Sequence, residues 1–255
     1  MKPFFIIGPC VVEDLPLLET VAKKLVYLRD KYDIQITFKS SFDKANRTSI
    51  ESFRGLEIGQ ALEYLYFIKK KYNLDILTDV HETCQIEYLK DIDIIQIPAF
   101  LCRQTDLLIA AGNSGKTINI KKAQFLSAED MGFVVEKIES TGNKNILLTE
   151  RGTTFGYNNL IVDFRNIPSM KKLGYPVVMD CTHSVQRPNS LEGKTGGNRE
   201  YILPMALSAA AFGADGYFME VHPDPDNALS DGPNSLHLDN LEHVIKKILN
   251  ATISD

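Results

Sequence analysis

The chain has no tryptophan, and its four cysteines, Cys10, Cys84, Cys102 and Cys181, lie far apart with no Cys-x-x-Cys pair. That spacing argues against a disulfide framework and fits a chain kept in a reducing cytoplasm. Also missing is any run approaching the roughly 20 apolar residues that a bilayer span requires, so no membrane segment is expected. The N-terminal apolar run Phe4 to Ile7 is cut by Gly8, Pro9 and Cys10, then by Glu13 and Asp14, before a signal-peptide core is complete. It reads as a first strand. A surplus of cations is absent too: the formal net charge of -5 argues against general nucleic-acid affinity and leaves basic residues to act locally, at a site. No stretch rich in Pro, Gly and Ser divides the 255 residues, so residues 1–255 are expected to form one domain.

What the chain does have is alternation. Short β-branched, apolar runs alternate with longer amphipathic stretches, the pattern of repeated βα units around a parallel sheet. Strands are expected at Phe4 to Ile7, Gln35 to Phe38, Ile76 to Thr78, Ile94 to Ile97, Thr117 to Ile120, Ile146 to Thr149, Val177 to Met179 and Tyr217 to Met219. Helices are expected near Pro16 to Tyr32, Leu56 to Tyr72, Glu82 to Leu89, Gln104 to Ala111, Ala128 to Ser140, Ile167 to Leu173, Arg199 to Phe212 and Ser235 to Leu249. Ser127 stands where an N-cap belongs and Gly142 follows the end of that helix. Eight such units in about 250 residues predict an α/β (β/α)8 TIM barrel. The Gly-rich stretch Arg187 to Asn198 reads as a long mobile loop or lid.

Chemistry follows every strand. In order come Cys10, Lys39, Asp79 with His81, Gln96, Lys121 with Lys122, Glu150 with Arg151, Asp180 with His183, and Glu220 with His222. In a (β/α)8 barrel these positions converge on one rim, where active sites of that fold lie. The densest stretch is Phe38 to Ser49, in which Lys39, Lys44 and Arg47 stand among hydroxyls and an amide. Ammonium point charges and a planar guanidinium fork suit carboxylates and phosphates. With Lys121 and Arg151 they make five cations on one rim of an acidic chain, which points to polyanionic substrates. The loop from Arg151 to Tyr157 has glycines that let backbone N–H groups approach a phosphate, but it is not a Walker loop. Cys10, His183, Glu220 and Asp231 form a second set able to hold a divalent transition metal, with His81 and His222 as competing ligands. Lys39 and Lys121 stand where Schiff-base lysines stand in barrels, although bound anions would oppose the lowered pKa that role needs.

Four stretches, Phe38 to Ser49, Gln96 to Gln104, Glu150 to Asn159 and Asp180 to Gln186, closely resemble the 3-deoxy-D-manno-octulosonate 8-phosphate (KDO-8-phosphate) synthase family over essentially the full length. The resemblance implies a cytoplasmic transferase of lipopolysaccharide biosynthesis that condenses phosphoenolpyruvate with D-arabinose 5-phosphate and water. It implies that Lys39 and Ser41 hold the phosphoenolpyruvate carboxylate and Lys121, Gln124 and Arg151 its phosphate, with Lys44 between and Gln96 among the substrate-binding residues. Asn46, Arg47, Thr48 and Ser49 would hold the pentose phosphate, and Arg103 would reach in from a neighbouring subunit of a homotetramer.

Family members with Cys at the first strand end need a divalent metal, and this chain has Cys10. The resemblance therefore implies zinc, iron, manganese or cobalt on Cys10, His183, Glu220 and Asp231, with Asp79 placed to orient a water or sugar hydroxyl. Catalytic roles fall on Lys44, Asp79 and His183. One departure concerns Asp231-Gly232-Pro233, which looks like the metal-independent branch and puts the loop geometry there in question. An N-terminal hairpin sealing the barrel floor is expected to be absent or very short. The nearest rival is the related synthase acting on erythrose 4-phosphate, which has Lys-Pro-Arg where this chain has Lys44, Ala45, Asn46, Arg47. Asn46 can hydrogen-bond a hydroxyl of a longer sugar, whereas Pro offers no N–H. A non-catalytic sugar-phosphate sensor on the same barrel is the other alternative.

Overall fold

The computed structural model describes residues 2–47, 49–157, 159–191 and 194–252. Its centre is a closed barrel of eight parallel strands: β1 (Phe4–Gly8), β2 (Ile36–Lys39), β3 (Asp75–Asp79), β4 (Ile94–Ile97), β5 (Thr117–Lys121), β6 (Ile146–Glu150), β9 (Val177–Asp180) and β12 (Gly216–His222). Between β6 and β9 lies a small antiparallel hairpin, β7 (Thr153–Thr154) with β8 (Leu160–Ile161). A second hairpin, β10 (Gln186–Leu191) with β11 (Lys194–Gly197), follows β9, and β13 (Leu236–His237) adds to β12. Pairing of β1 with β12, from Phe4 against Gly216 to Gly8 against Glu220, closes the barrel.

Strand alternation decides which residues reach the interior. Phe5, Ile7, Ile36, Phe38, Ile95 and Ile97 face outward into the large core beneath the helices. Ile6, Leu77, Val178 and Phe218 face inward and fill the barrel floor. Above them Asn119 donates to Gln96 Oε1 at 3.0 Å and accepts from Thr149 Oγ1 at 2.6 Å, a polar layer. Higher still, the same inward register brings Lys39, Asp79, Lys121, Asp180 and Glu220 to one rim.

The outer layer has seven α-helices: α1 (Leu15–Tyr32), α2 (Ile58–Tyr72), α3 (Thr105–Asn113), α4 (Met131–Glu139), α5 (Asn166–Lys171), α6 (Ile202–Ala211) and α7 (Leu241–Thr252). In α1, Asp14 caps the N-terminus by accepting from the Leu17 amide, and Leu18, Val21, Ala22, Leu25 and Leu28 form the buried stripe. The expected helix at Glu82 to Leu89 is instead a 3-10 segment, Thr83–Tyr88, with no buried residue. Lacking an apolar stripe to dock, it gains nothing from α geometry. Ser127 caps a turn, accepting from the Asp130 amide at 3.1 Å, and α4 proper starts at Met131. The last helix begins at Leu241 and not at Ser235, because Leu236–His237 extends the sheet. None of the described helices is long and apolar enough to cross a membrane.

The Gly-rich stretch expected as a long loop or lid includes a hairpin, in which Gln186 pairs with Gly197 and Arg187 with Gly196; residues 192 and 193 lie outside the described residues. A Cβ at Gly197 would lie 1.4 Å from Asn234 Oδ1, so the glycine there allows close packing against the following loop.

Candidate active site

The C-terminal rim surrounds a cleft of about 730 Å³ whose walls include Lys39, Lys44, Asn46, Arg47, Ser49, Asp79, Gln96, Lys121, Gln124, Arg151, His183 and Asp231. Residues scattered from position 39 to position 231 thus share one cavity. Cys10 and Glu220 are buried behind it, against the cleft residues Asp231 and Lys39. Thr48 lies outside the described residues. Arg103 does not reach this cleft: it is exposed and lines a separate groove with Phe133 and Lys137.

The cations gathered in the cleft are offset within the protein as well, because each of its lysines stands near a carboxylate. Lys39 Nζ donates to Glu220 Oε1 at 2.6 Å and to the Cys10 carbonyl at 2.9 Å. Lys121 pairs with Asp180 and sits 3.2 Å from the centre of the Phe218 ring, over which Lys39 also lies. Two ammonium groups thus share one aromatic face. Burial lowers the Lys121 pKa to about 8, opposed by the Asp180 charge. Lys44 behaves in the opposite way: burial works against its charge, but Cys10, Glu220, Asp79 and Asp231 outweigh burial and raise its pKa. It stays an ammonium, donating to Ser41 Oγ at 2.9 Å. An ammonium is no nucleophile, and Lys39 and Lys121 are each bound to a carboxylate, so the geometry gives no support to a Schiff base.

Arg151 donates through one amino group to Gln186 Oε1 at 3.0 Å, while its buried Nη1 and the buried Gln124 Oε1 find no partner among the described residues. Unpaired buried polar atoms on a cleft wall are open valences for a ligand. In the same cleft Arg47 reaches Asp231 Oδ1 at 3.4 Å and the Phe53 and Leu229 carbonyls. Asp79 Oδ2 is 3.4 Å from His81 Nε2, and its Oδ1 is unpartnered. Burial would raise the Asp79 pKa, but His81, Lys44 and Lys39 hold it well below the usual carboxylate range.

Cys10 Sγ, a Glu220 oxygen and an Asp231 oxygen lie within 4.8 Å of one another. His183 Nε2 is 3.5 Å from Glu220 Oε1 and 3.9 Å from Asp231 Oδ2. Asp180 Oδ2 accepts from His183 Nδ1 at 2.8 Å, which puts the neutral ring's proton on Nδ1 and its lone pair on Nε2. A sulfur, an imidazole nitrogen and two carboxylates brought together make a donor set that suits a borderline-soft divalent ion. Burial and the Glu220 charge push the Cys10 thiol up, against the influence of Lys44 and Lys39. Asp231-Gly232-Pro233 accommodates the set: Asp231 adopts a left-handed φ of 49° that turns its carboxylate toward Cys10 and Gln186. His222 does not compete, since it is held by Glu13 at 3.5 Å and by the Asp224 amide. His81 belongs to the Asp79 side of the cleft.

Sequence reasoning placed Asp180 at a strand end but gave it no site role. Its carboxylate joins Lys121 to His183 and also accepts from the Thr182 and His183 amides. The signal was the three-residue spacing from Asp180 to His183, which returns the imidazole over the carboxylate.

The family model described as the DAHP synthetase I family matches residues 1–253. The chain is 52% identical over 245 residues to a 2-dehydro-3-deoxyphosphooctonate aldolase of Desulfatibacillum aliphaticivorans, covering 96% of this chain and 90% of the relative. It is 52% identical to the protein of that name from Fusobacterium nucleatum over 96% of this chain and 89% of the relative. The corresponding protein of Rickettsia bellii is 53% identical, covering 96% and 90%.

The Lys121 environment predicts a pH dependence. Below about pH 8 the ammonium is charged and attracts an anion; as pH rises through its lowered pKa the charge is lost. Inorganic phosphate titrated calorimetrically should bind progressively more weakly from pH 8 to pH 9.5, although over that range phosphate itself only gains negative charge as its last monoanion is lost. Flat affinity across that range would mean that Lys121 does not meet the anion.

Proposed function

The chain belongs to the DAHP synthetase I family, and on that premise we propose that it joins phosphoenolpyruvate to D-arabinose 5-phosphate and water, giving 3-deoxy-D-manno-octulosonate 8-phosphate and inorganic phosphate. The relatives' names denote an eight-carbon product, the sum of a three-carbon enol and a pentose. The observation that carries the reading is that one cleft is lined by two groups suited to anions, Lys121, Gln124 and Arg151 from the loops after β5 and β6, and Asn46, Arg47 and Ser49 from the loop after β2. Two phosphorylated substrates need two such clusters, with their reacting carbons between.

In this reading Arg151 Nη1, Lys121 and Gln124 take the phosphoenolpyruvate phosphate, and Lys39, Ser41 and Lys44 face its carboxylate. The pentose phosphate lies against Asn46, Arg47, Ser49 and Thr48, and Gln96 completes the wall. C3 of the enol attacks the aldehyde carbon, C2 becomes electron-poor, and water adds to it. The hemiketal phosphate then collapses, expelling phosphate toward Lys121 and Arg151. Lys44, held as an ammonium, balances developing negative charge at the centre. Ionised Asp79, with a free oxygen, accepts a hydrogen bond from water or a sugar hydroxyl and so orients it.

Cys10, His183, Glu220 and Asp231 would hold a divalent ion, and their mixed sulfur, nitrogen and oxygen donors suit zinc, iron, manganese or cobalt. Such an ion supplies Lewis acidity, polarising a bound oxygen or making a bound water more acidic. The remaining assignments are of the same kind: one catalytic domain over residues 1–255, a cytoplasmic setting supported by four unpaired cysteines, and a homotetramer in which exposed Arg103 serves a neighbour's cleft.

The purified protein should release phosphate from phosphoenolpyruvate only when arabinose 5-phosphate is present, and a chelator should stop it. Release with erythrose 4-phosphate but not with the pentose would overturn the substrate assignment. Cys10→Ala should lose bound divalent metal by elemental analysis while its thermal unfolding stays cooperative. Undiminished metal content would remove Cys10 from the ligand set.

A further inference from the structure

Two fully buried charges stand outside the cleft and outside the chemistry above. Lys122 follows Lys121, and Glu150 precedes Arg151. Strand alternation sends Lys121 and Arg151 into the barrel and turns Lys122 and Glu150 outward, beneath the loops that leave β5 and β6. Their charges are 3.7 Å apart, and neither side chain is exposed. A buried pair of this kind adds little net stability over an apolar filling, so its use has to be sought in what it holds.

What it holds is the backbone of two loops. Lys122 Nζ donates to the Ala123 carbonyl at 3.3 Å, the Leu126 carbonyl at 3.1 Å and Thr153 Oγ1 at 3.2 Å. Glu150 Oε1 accepts from the amides of Arg151 at 3.1 Å and Gly152 at 2.6 Å, and Oε2 accepts from Asn166 Nδ2 at 3.0 Å. Gly152 sits at φ 91°, a conformation that fixes the turn just after Arg151. The Thr154 amide donates to the Gln124 carbonyl at 3.0 Å, tying the two loops together. These loops carry Gln124 and Arg151, whose buried polar atoms face the cleft unpaired.

We propose that Lys122 and Glu150 are a positioning pair that sets the phosphoenolpyruvate phosphate subsite by fixing Gln124 and Arg151 from behind. The inference rests on the assignment of those two residues to that phosphate. Lys122→Met removes three hydrogen bonds to the loops and should raise KM for phosphoenolpyruvate about tenfold or more, the scale expected when a binding group shifts by a fraction of an ångström to an ångström. KM for arabinose 5-phosphate should stay within about twofold, because Arg47 and Asn46 belong to another loop. Thr153→Val and Asn166→Ala each remove one hydrogen bond. They should give smaller rises in the same constant, and they carry the test if Lys122→Met does not fold. Calorimetric binding of phosphoenolpyruvate to each folded variant should follow the same order. Unchanged phosphoenolpyruvate affinity in the folded variants, or equal weakening toward both substrates, would overturn the proposal. Arg151→Ala is the control: if it binds phosphoenolpyruvate normally, the subsite assignment itself fails, and the positioning role with it.

Discussion

A lysine ammonium inside a parallel barrel must find counter-charge, and Lys39 finds it two strands away, on Glu220 at 2.6 Å. Strand β1 runs between them, and at that level it carries Gly8, paired with Glu220. A Cβ at Gly8 would lie 1.9 Å from the Lys39 carbonyl oxygen, so only glycine lets β1 and β2 approach closely enough for the pair to form. The same ammonium holds the Cys10 carbonyl, and the same Glu220 oxygen faces Lys44 and His183. The seam where the barrel closes is therefore also the floor of the site.

From that seam the charge pattern spreads in a regular way. Lys121 has Asp180, Arg47 has Asp231 and Lys39 has Glu220, so the cations are held in position before any substrate arrives. Preorganisation of this kind places charge without leaving it to collapse on itself. The carboxylates have a double use, since Glu220 and Asp231 also face Cys10 and His183. Through a single carboxylate Asp180 links Lys121 to His183, beside Glu220 and Asp231. Arg151 Nη1, Gln124 Oε1 and Asp79 Oδ1, which find no partner among the described residues, mark places where that internal balance is left open for a ligand.

The barrel was legible because period-two alternation in each short strand carries both its outward core face and its inward chemistry. Ile36 and Phe38 against Lys39, or Ile118 and Ile120 against Lys121, read directly as wall and rim. The rim positions likewise predicted much of the cleft lining, such as Lys39, Asp79, Lys121, Arg151 and His183, but not that Lys122 and Glu150 turn away from it. What alternation could not give was pairing between residues far apart in the chain: that Lys39 meets Glu220, that Glu13 takes His222, or that Asp180 serves two masters. Thr83–Tyr88 was misjudged as an α-helix because polar residues there carry no stripe to test. Nor did any local pattern announce that Gly197 packs against Asn234.

If one rim binds two anions at separate, fixed places, a crystal structure of the protein with both substrates, or with phosphoenolpyruvate and the pentose phosphate's reduced analogue, will show it. The enol phosphate should lie within hydrogen-bonding distance of Arg151 Nη1 and Lys121, and the pentose phosphate against Arg47. Either phosphate on a different surface, or the two exchanged, would contradict it.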